Sequence, residues 1–242
     1  MNRYDVVFMG HVTVDEIETP EGFVRGTPGG APLFGAFAAC RTRKRIAVVT
    51  RMDEGDGHIL ETLKAAGIDV YLRPAPLTTH MRVVHPTGNV DERMMFQTRD
   101  AGFFVTEDIP PVEPCTIHPG ALTDREFTLE FMRHLKQRGY RLSVDMQAFV
   151  RQVEPKTGVI RFRDVSGKSE IALLADMMKL DVVEAEVLTG TRDLEKAAKV
   201  VEGWGVPGDH PDLFGGSVRP VQRGDFFQEV FQQELPRENR AP

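Results

Sequence analysis

The chain has 242 residues, 41% of them hydrophobic and 27% charged, with a formal net charge of -6. That length suffices for one large or two small globular domains, and the acidic balance argues against a nucleic-acid binder dominated by phosphate contacts. Cys40 and Cys115 are too few for a disulfide framework, no apolar run approaches the roughly 18 residues of a membrane span, and the N-terminus lacks a signal-peptide core. A cytoplasmic protein with no membrane partner is expected.

Tyr4 to Met9 (YDVVFM) is a compact apolar run ending at Gly10, which predicts a strand buried on both faces. Residues 13–25 (TVDEIETPEGFVR) place a Pro-Glu-Gly turn between β-prone arms, the pattern of a hairpin. Ala31 to Cys40 follows Pro28-Gly29-Gly30 and predicts a buried helix. The basic run RTRKR after it, residues 41–45, reads as a solvated helix end whose cations complement the dipole. Ile46 to Thr50 is a strand, and Gly57 to Ala66 a helix with Ile59, Leu60 and Leu63 on one face, stopped by Gly67. Ile68 to Leu72 resumes as a strand. Residues 80–98 form a second, longer hairpin around Pro-Thr-Gly-Asn. Thr123 to Arg138 predicts a helix from Phe127, Phe131 and Leu135, followed by the strand Arg141 to Asp145, and Asp193 to Gly203 is again helical. The alternation indicates βαβ units and a mostly parallel sheet. Two hairpins inserted into such a unit can pair as a lid over the carboxyl ends of the strands, where open α/β sheets bind ligands.

The segments GHVTVD, GTPGGAPLFGAFAA, IAVVTRMDEGDGHILETLKAAGIDV and KLDVVEAEVLTG follow one another in an order that resembles the ribokinase-like, or PfkB, carbohydrate kinases. The likeness spans residues 4–205, and GGAPLFGA, DMQAFVR and EAEVLTG look closest to an inositol-kinase-like branch. It implies a doubly wound, mostly parallel α/β domain over residues 1–205 with a β-hairpin lid. It also implies ATP and Mg2+ as cofactors, and transfer of the γ-phosphoryl group to a hydroxyl of a sugar, inositol or nucleoside.

Asp15 enters the first hairpin, where a carboxylate can accept two hydrogen bonds from vicinal hydroxyls; the resemblance assigns it to substrate binding. Gly29 and Gly30 let backbone amides approach a ligand at a helix start. Phe34 stands where many family members carry a substrate-binding asparagine, which counts against a ribose-like acceptor. Thr79, beside Thr78, is a candidate hydroxyl contact. Asp145 ends a strand, and Gln147 and Arg151 follow it, placed to reach the substrate or a phosphate. The seven histidines show no zinc-ligand spacing. In KLDVVEAEVLTG the resemblance retains Glu184, which would place Mg2+ through its waters, and puts Asp181 where the family has asparagine. The same two residues are also explained as the capped acidic start of a helix.

After Val206 the pattern changes. The final 37 residues hold five of the 16 prolines and six Val, Ile, Leu or Met residues. VQRGDFFQEVF supplies a Gly-Asp pair in which Asp225 is the sole candidate base, but Asp225 lies 41 residues after Glu184, some tens fewer than the family pattern implies. Three readings are open for residues 206–242: a wrong reading frame, which is preferred; a shortened, divergent kinase using Asp225; or a non-catalytic relative that binds a polyol or dimerises. The fold is expected to be incomplete at this end, leaving an unpaired sheet edge that predicts a homodimer or weak stability as a monomer.

Overall fold

The structure, a computed structural model, describes residues 1–89 and 92–206; Asp225 and the rest of residues 207–242 lie outside the described residues. The first half of the chain runs β1 (Val6–Met9), β2 (Thr13–Thr19), β3 (Gly22–Gly29), α1 (Ala31–Cys40), β4 (Ile46–Met52), α2 (Glu61–Ala65), β5 (Asp69–Pro74), β6 (His80–Val84) and β7 (Met94–Arg99). The second half continues with β8 (Thr116–Pro119), α3 (Leu129–Gln137), β9 (Arg141–Asp145), α4 (Gln147–Val150), β10 (Arg151–Val153), β11 (Ile160–Phe162), α5 (Lys168–Leu174), β12 (Met177–Lys179), α6 (Val182–Thr189) and α7 (Leu194–Glu202).

Six strands form a parallel sheet in the order β12-β9-β8-β1-β4-β5. The chain therefore starts in the middle of the sheet, winds outward through β4 and β5, and returns to the other side of β1 with β8. Right-handed crossovers in opposite directions place helices on opposite faces, and the strand residues divide accordingly. Val6, Phe8, Ile46 and Val48 pack with Leu33 and Ala36 of α1 and Leu63 of α2. Val7, Met9, Ala47 and Val49 pack with Phe131, Met132 and Leu135 of α3. With a helix layer on each side, every residue of β1 is apolar and buried.

The two expected hairpins are present as antiparallel pairs, β2 with β3 and β6 with β7. They join through β2 and β6, which run parallel, into a four-stranded lid sheet ordered β3-β2-β6-β7. One face of this lid is braced from the core. Met81 and Met95 pack against Ile160 of the small β10-β11 hairpin, with Leu122, Val153 and Phe162 around them.

Three expected boundaries shift for local reasons. The first hairpin runs on past residue 25 to Gly29, so Gly29 belongs to a strand and Gly30 alone precedes the helix. The helix expected from Gly57 begins as a 3-10 turn at Glu54, capped by the Asp53 carboxylate, and becomes α-helical only at Glu61. The helix expected from Thr123 starts at Leu129, where the Thr128 hydroxyl accepts the Phe131 N–H. The turn before it is taken by Glu126, whose carboxylate is drawn away to the strand ends.

The ends of β1 and β8 come so close that a methyl group on Gly10 would collide with the Gly120 carbonyl oxygen. Both partners there are backbone, which has little room to yield. Gly10→Ala should cost about 2–3 kcal/mol, read as a lowered urea midpoint with an unchanged denaturant slope; an unaltered midpoint would contradict this packing.

Candidate active site at the strand switch point

In an open parallel sheet, the carboxyl ends of two neighbouring strands whose connections leave in opposite directions open a crevice. Here those strands are β1 and β8. Glu126 closes the bottom of the crevice: its buried Oε2 accepts the His11 N–H at 2.6 Å and its Oε1 accepts the Leu122 N–H at 2.6 Å. Burial pushes this carboxyl up to about 8, with the amides of Leu122, His11 and Thr123 working in the opposite direction. Two loops from either side of the switch point are thus held by one side chain.

The start of α1 forms one wall. Gly30 has φ 105°, and a side chain there would strike the His11 carbonyl oxygen. Such a backbone is open to glycine at little cost and strained for other residues. A methyl group on Gly29 would strike the Asp15 carboxylate. The pair of glycines therefore reflects how tightly the lid strand and the helix start are drawn together. Asp15 itself accepts the Thr13 hydroxyl at 2.7 Å, and burial pushes its carboxyl up to about 6.

Thr79, the expected hydroxyl contact, is buried, and its Oγ1 donates to His11 Nδ1 at 2.8 Å and accepts the Ala101 N–H at 3.0 Å. The other imidazole nitrogen, Nε2, lies 3.1 Å from the Gly102 carbonyl and must donate to it. His11 is accordingly neutral, with its pKa pulled down to about 3 chiefly by burial. One ring thus fastens both ends of the β6-β7 hairpin to the end of β1. Sequence reasoning passed over His11 and Glu126; the signal for His11 was its place directly after the Gly10 that ends the first strand.

The remaining candidates gather farther along the same edge. Asp145, at the end of β9, is buried; its Oδ2 pairs with Lys179 Nζ at 2.8 Å and its Oδ1 accepts the Gln147 N–H at 3.1 Å. Gln147 ties this strand end to the switch point by donating from Nε2 to the Ala121 carbonyl at 2.9 Å. Asp181 and Glu184 form a reciprocal capping box on α6, each carboxylate accepting the other's backbone N–H at 2.8 Å. Glu184 is fully buried all the same, and its Oε1 finds no hydrogen-bond donor among the described residues. Burial, then the nearby Asp145 charge, pushes its carboxyl up to about 7, with Lys179 working against them. Against the desolvation that lowers it, the Lys179 ammonium is held above its ordinary value by Asp145, Glu184 and Asp181. Sequence reasoning missed Lys179, the residue that links Asp145 to this acidic helix start.

Arg151 lies on the small β10-β11 hairpin. It is buried in β10, with its guanidinium 5.5 Å over the Phe162 ring. A separate cavity of 190 Å³, lined by Tyr4, Lys44, Arg45 and Asp69, lies at the opposite, amino-terminal end of the sheet.

Comparison with known proteins accords with this architecture. No family model matches the chain. It is 27% identical over 220 residues to a cytidine kinase of Thermococcus kodakarensis, a match covering 83% of this chain and 70% of that protein. Among solved structures, a pyrophosphate-dependent kinase in the ribokinase family, in its sulfate complex, aligns with a TM-score of 0.77 at 27% identity, over 83% of this chain and 70% of that one. The complex of a pyrophosphate-dependent kinase in the ribokinase family with a pyrophosphate analog and myo-inositol gives 0.76 at 26% identity, with the same coverage. A Vibrio cholerae fructokinase, 21% identical with a TM-score of 0.58 over 86% of this chain and 73% of that one, shares the fold. In sequence and fold the chain is similar to kinases of the ribokinase family.

The environment of Asp15 predicts an unusual pH dependence. Its carboxyl keeps a proton up to about 6 when folded but loses it near about 4 when unfolded. The native state therefore binds more protons within that window, and this group's contribution to stability falls as pH rises from about 4 to about 6. Thermal midpoints of the parent and Asp15→Asn should diverge across the window in favour of the variant and stay parallel above it. A constant difference from pH 4 to pH 7 would contradict the assignment.

Proposed function

We propose that this chain is a kinase that transfers a phosphoryl group to a hydroxyl of a polyol, nucleoside or sugar bound beneath the lid. The observation that carries the reading is an acceptor-side carboxylate, Asp15, on the lid strand that follows β1, together with the cluster Asp145, Lys179 and Glu184 at the carboxyl ends of β9 and β12. A half-buried carboxylate such as Asp15 suits a neutral ligand rich in hydroxyls, because it accepts hydrogen bonds and gains from shielding by them. A cation set among carboxylates suits the donor's phosphates and the metal that accompanies them. The relatives support both halves: they include a cytidine kinase and a pyrophosphate-dependent kinase complexed with myo-inositol. The donor is therefore ATP, as the resemblance implies, or pyrophosphate.

Among the described residues, no three His, Cys, Asp or Glu side chains converge as a metal cage. Mg2+ keeps several waters and is held largely by substrate phosphates, so its binding does not depend on such a cage. Glu184, through its unpaired Oε1, would hold one of those waters, with Asp181 beside it. When bound, the metal would neutralise charge on the phosphates. In this chain Lys179 screens the same charge, Asp145 fixes the direction of Lys179, and the helix start at Gly30 offers backbone N–H groups to the acceptor. In the reading of residues 206–242 as a shortened, divergent kinase, Asp225 is the candidate base for the acceptor hydroxyl.

The test is phosphoryl transfer to myo-inositol, cytidine and fructose from ATP and from pyrophosphate, run beside calorimetric titration of each acceptor. Glu184→Gln should lower kcat by about a hundredfold with acceptor affinity unchanged, and Asp225→Asn should abolish turnover. Equal rates for Asp225→Asn and the parent would remove Asp225. Acceptor binding without turnover by the parent would instead assign the chain to the non-catalytic reading.

A further inference from the structure

The lid carries a second polar group that the sequence motifs do not single out. The strand register places Thr27, Asp15, Met81 and Gln97 in one row across β3, β2, β6 and β7. Paired residues in a row share a face. Met81 shows which face this is, because it packs with Met95 against Ile160 of the bracing hairpin. Asp15 and Gln97 therefore look inward from the lid, separated by Met81.

Gln97 is 8% exposed, yet its amide is half used. Its Oε1 accepts the Thr123 hydroxyl at 2.7 Å, and Thr123 sits in the loop that leaves β8 at the switch point. Its backbone N–H donates to Gly158 at 2.8 Å, fixing the strand on the bracing hairpin. The Nε2 group, with two N–H donors, has no hydrogen-bond partner among the described residues. This group is not sealed from solvent, so a lid that orients it through Thr123 holds it ready for an acceptor from outside.

We infer that Gln97 is a specificity-determining residue of the acceptor site, donating from Nε2 to a hydroxyl oxygen of a cyclic polyol whose opposite side is held by the Asp15 carboxylate. Two strand spacings separate the residues, roughly 9.5 Å, a gap that one polyol ring with a hydrogen bond at each end can bridge. The two groups are complementary in kind: Asp15 accepts and Gln97 donates. A hydroxyl can satisfy either, so the pair fixes which hydroxyls face the lid and hence which one is left for phosphorylation.

This inference rests on the acceptor-site reading above, and its test separates the two. Calorimetric titration uses myo-inositol and its monodeoxy analogues with the parent, Gln97→Met and Gln97→Glu. Met keeps the length without the polar head; Glu keeps an oxygen for Thr123 but loses both donors. The parent should bind myo-inositol and discriminate against one deoxy analogue; each variant should bind myo-inositol about tenfold more weakly, roughly one hydrogen bond's worth, and no longer distinguish that analogue. Loss of discrimination is a readout that a merely structural role would not move. If one variant does not fold, the other carries the test. No polyol binding by the parent would overturn the acceptor-site reading and this inference with it; parent-like affinity and discrimination in a folded variant would overturn the role of Gln97 alone.

Discussion

The architecture turns on one carboxylate. Glu126 gives an oxygen each to the backbone N–H groups of His11 and Leu122, and so holds together the chain segments leaving β1 and β8 in opposite directions. At that point Gly10 and Gly120 touch without side chains between them. The same residue that Glu126 holds through its backbone uses its imidazole to carry the lid: His11 accepts from Thr79 and donates to Gly102, at the two ends of the second hairpin. The lid, the strand ends and the start of α1 are consequently referred to a single buried junction. The proposed acceptor site lies around that junction, and Gln147 extends it toward the proposed donor site through the Ala121 carbonyl.

The electrostatics of the two halves differ in a way that suits different ligands. Asp15 has one described hydrogen-bond partner, the Thr13 hydroxyl, so burial dominates and the carboxyl rises. A group of this kind is stabilised by neutral hydroxyls that exclude water. At the other end, Asp145, Asp181 and Glu184 surround Lys179, and each raises its pKa. That assembly carries more negative than positive charge, which suits the reception of a metal and its waters better than that of a bare anion.

The parts of the fold legible in the sequence are those where a single physical requirement governs a run of residues. β1 and the first four residues of β4 are covered by helices on both faces, so they read as unbroken apolar runs. The turn residues Pro20-Glu21-Gly22 and Pro86-Thr87-Gly88-Asn89 mark both hairpins. Where two requirements compete, the reading fails. Phe127 looks helical because it stacks on Phe131, at 5.8 Å between ring centroids, but it reaches that ring from outside α3 while the adjacent Glu126 is pulled to the strand ends. β10, β11 and β12 have three residues each, too few for a period to show. The candidate site was half legible for the same reason. Asp15, Asp145 and Glu184 stand in recognisable motifs, whereas His11, Lys179 and Gln97 acquire their significance from register and burial. Asp181 and Glu184 are both a helix cap and the candidate water ligands, and nothing in their spacing separates the two roles.

The most direct measurement is a crystal structure of the chain grown with myo-inositol, pyrophosphate and Mg2+. The account predicts myo-inositol between Gly30 and the row of Asp15 and Gln97, with pyrophosphate oxygens beside Lys179. Both molecules lying away from the switch point, or myo-inositol in the cavity beside Tyr4 at the other end of the sheet, would contradict it.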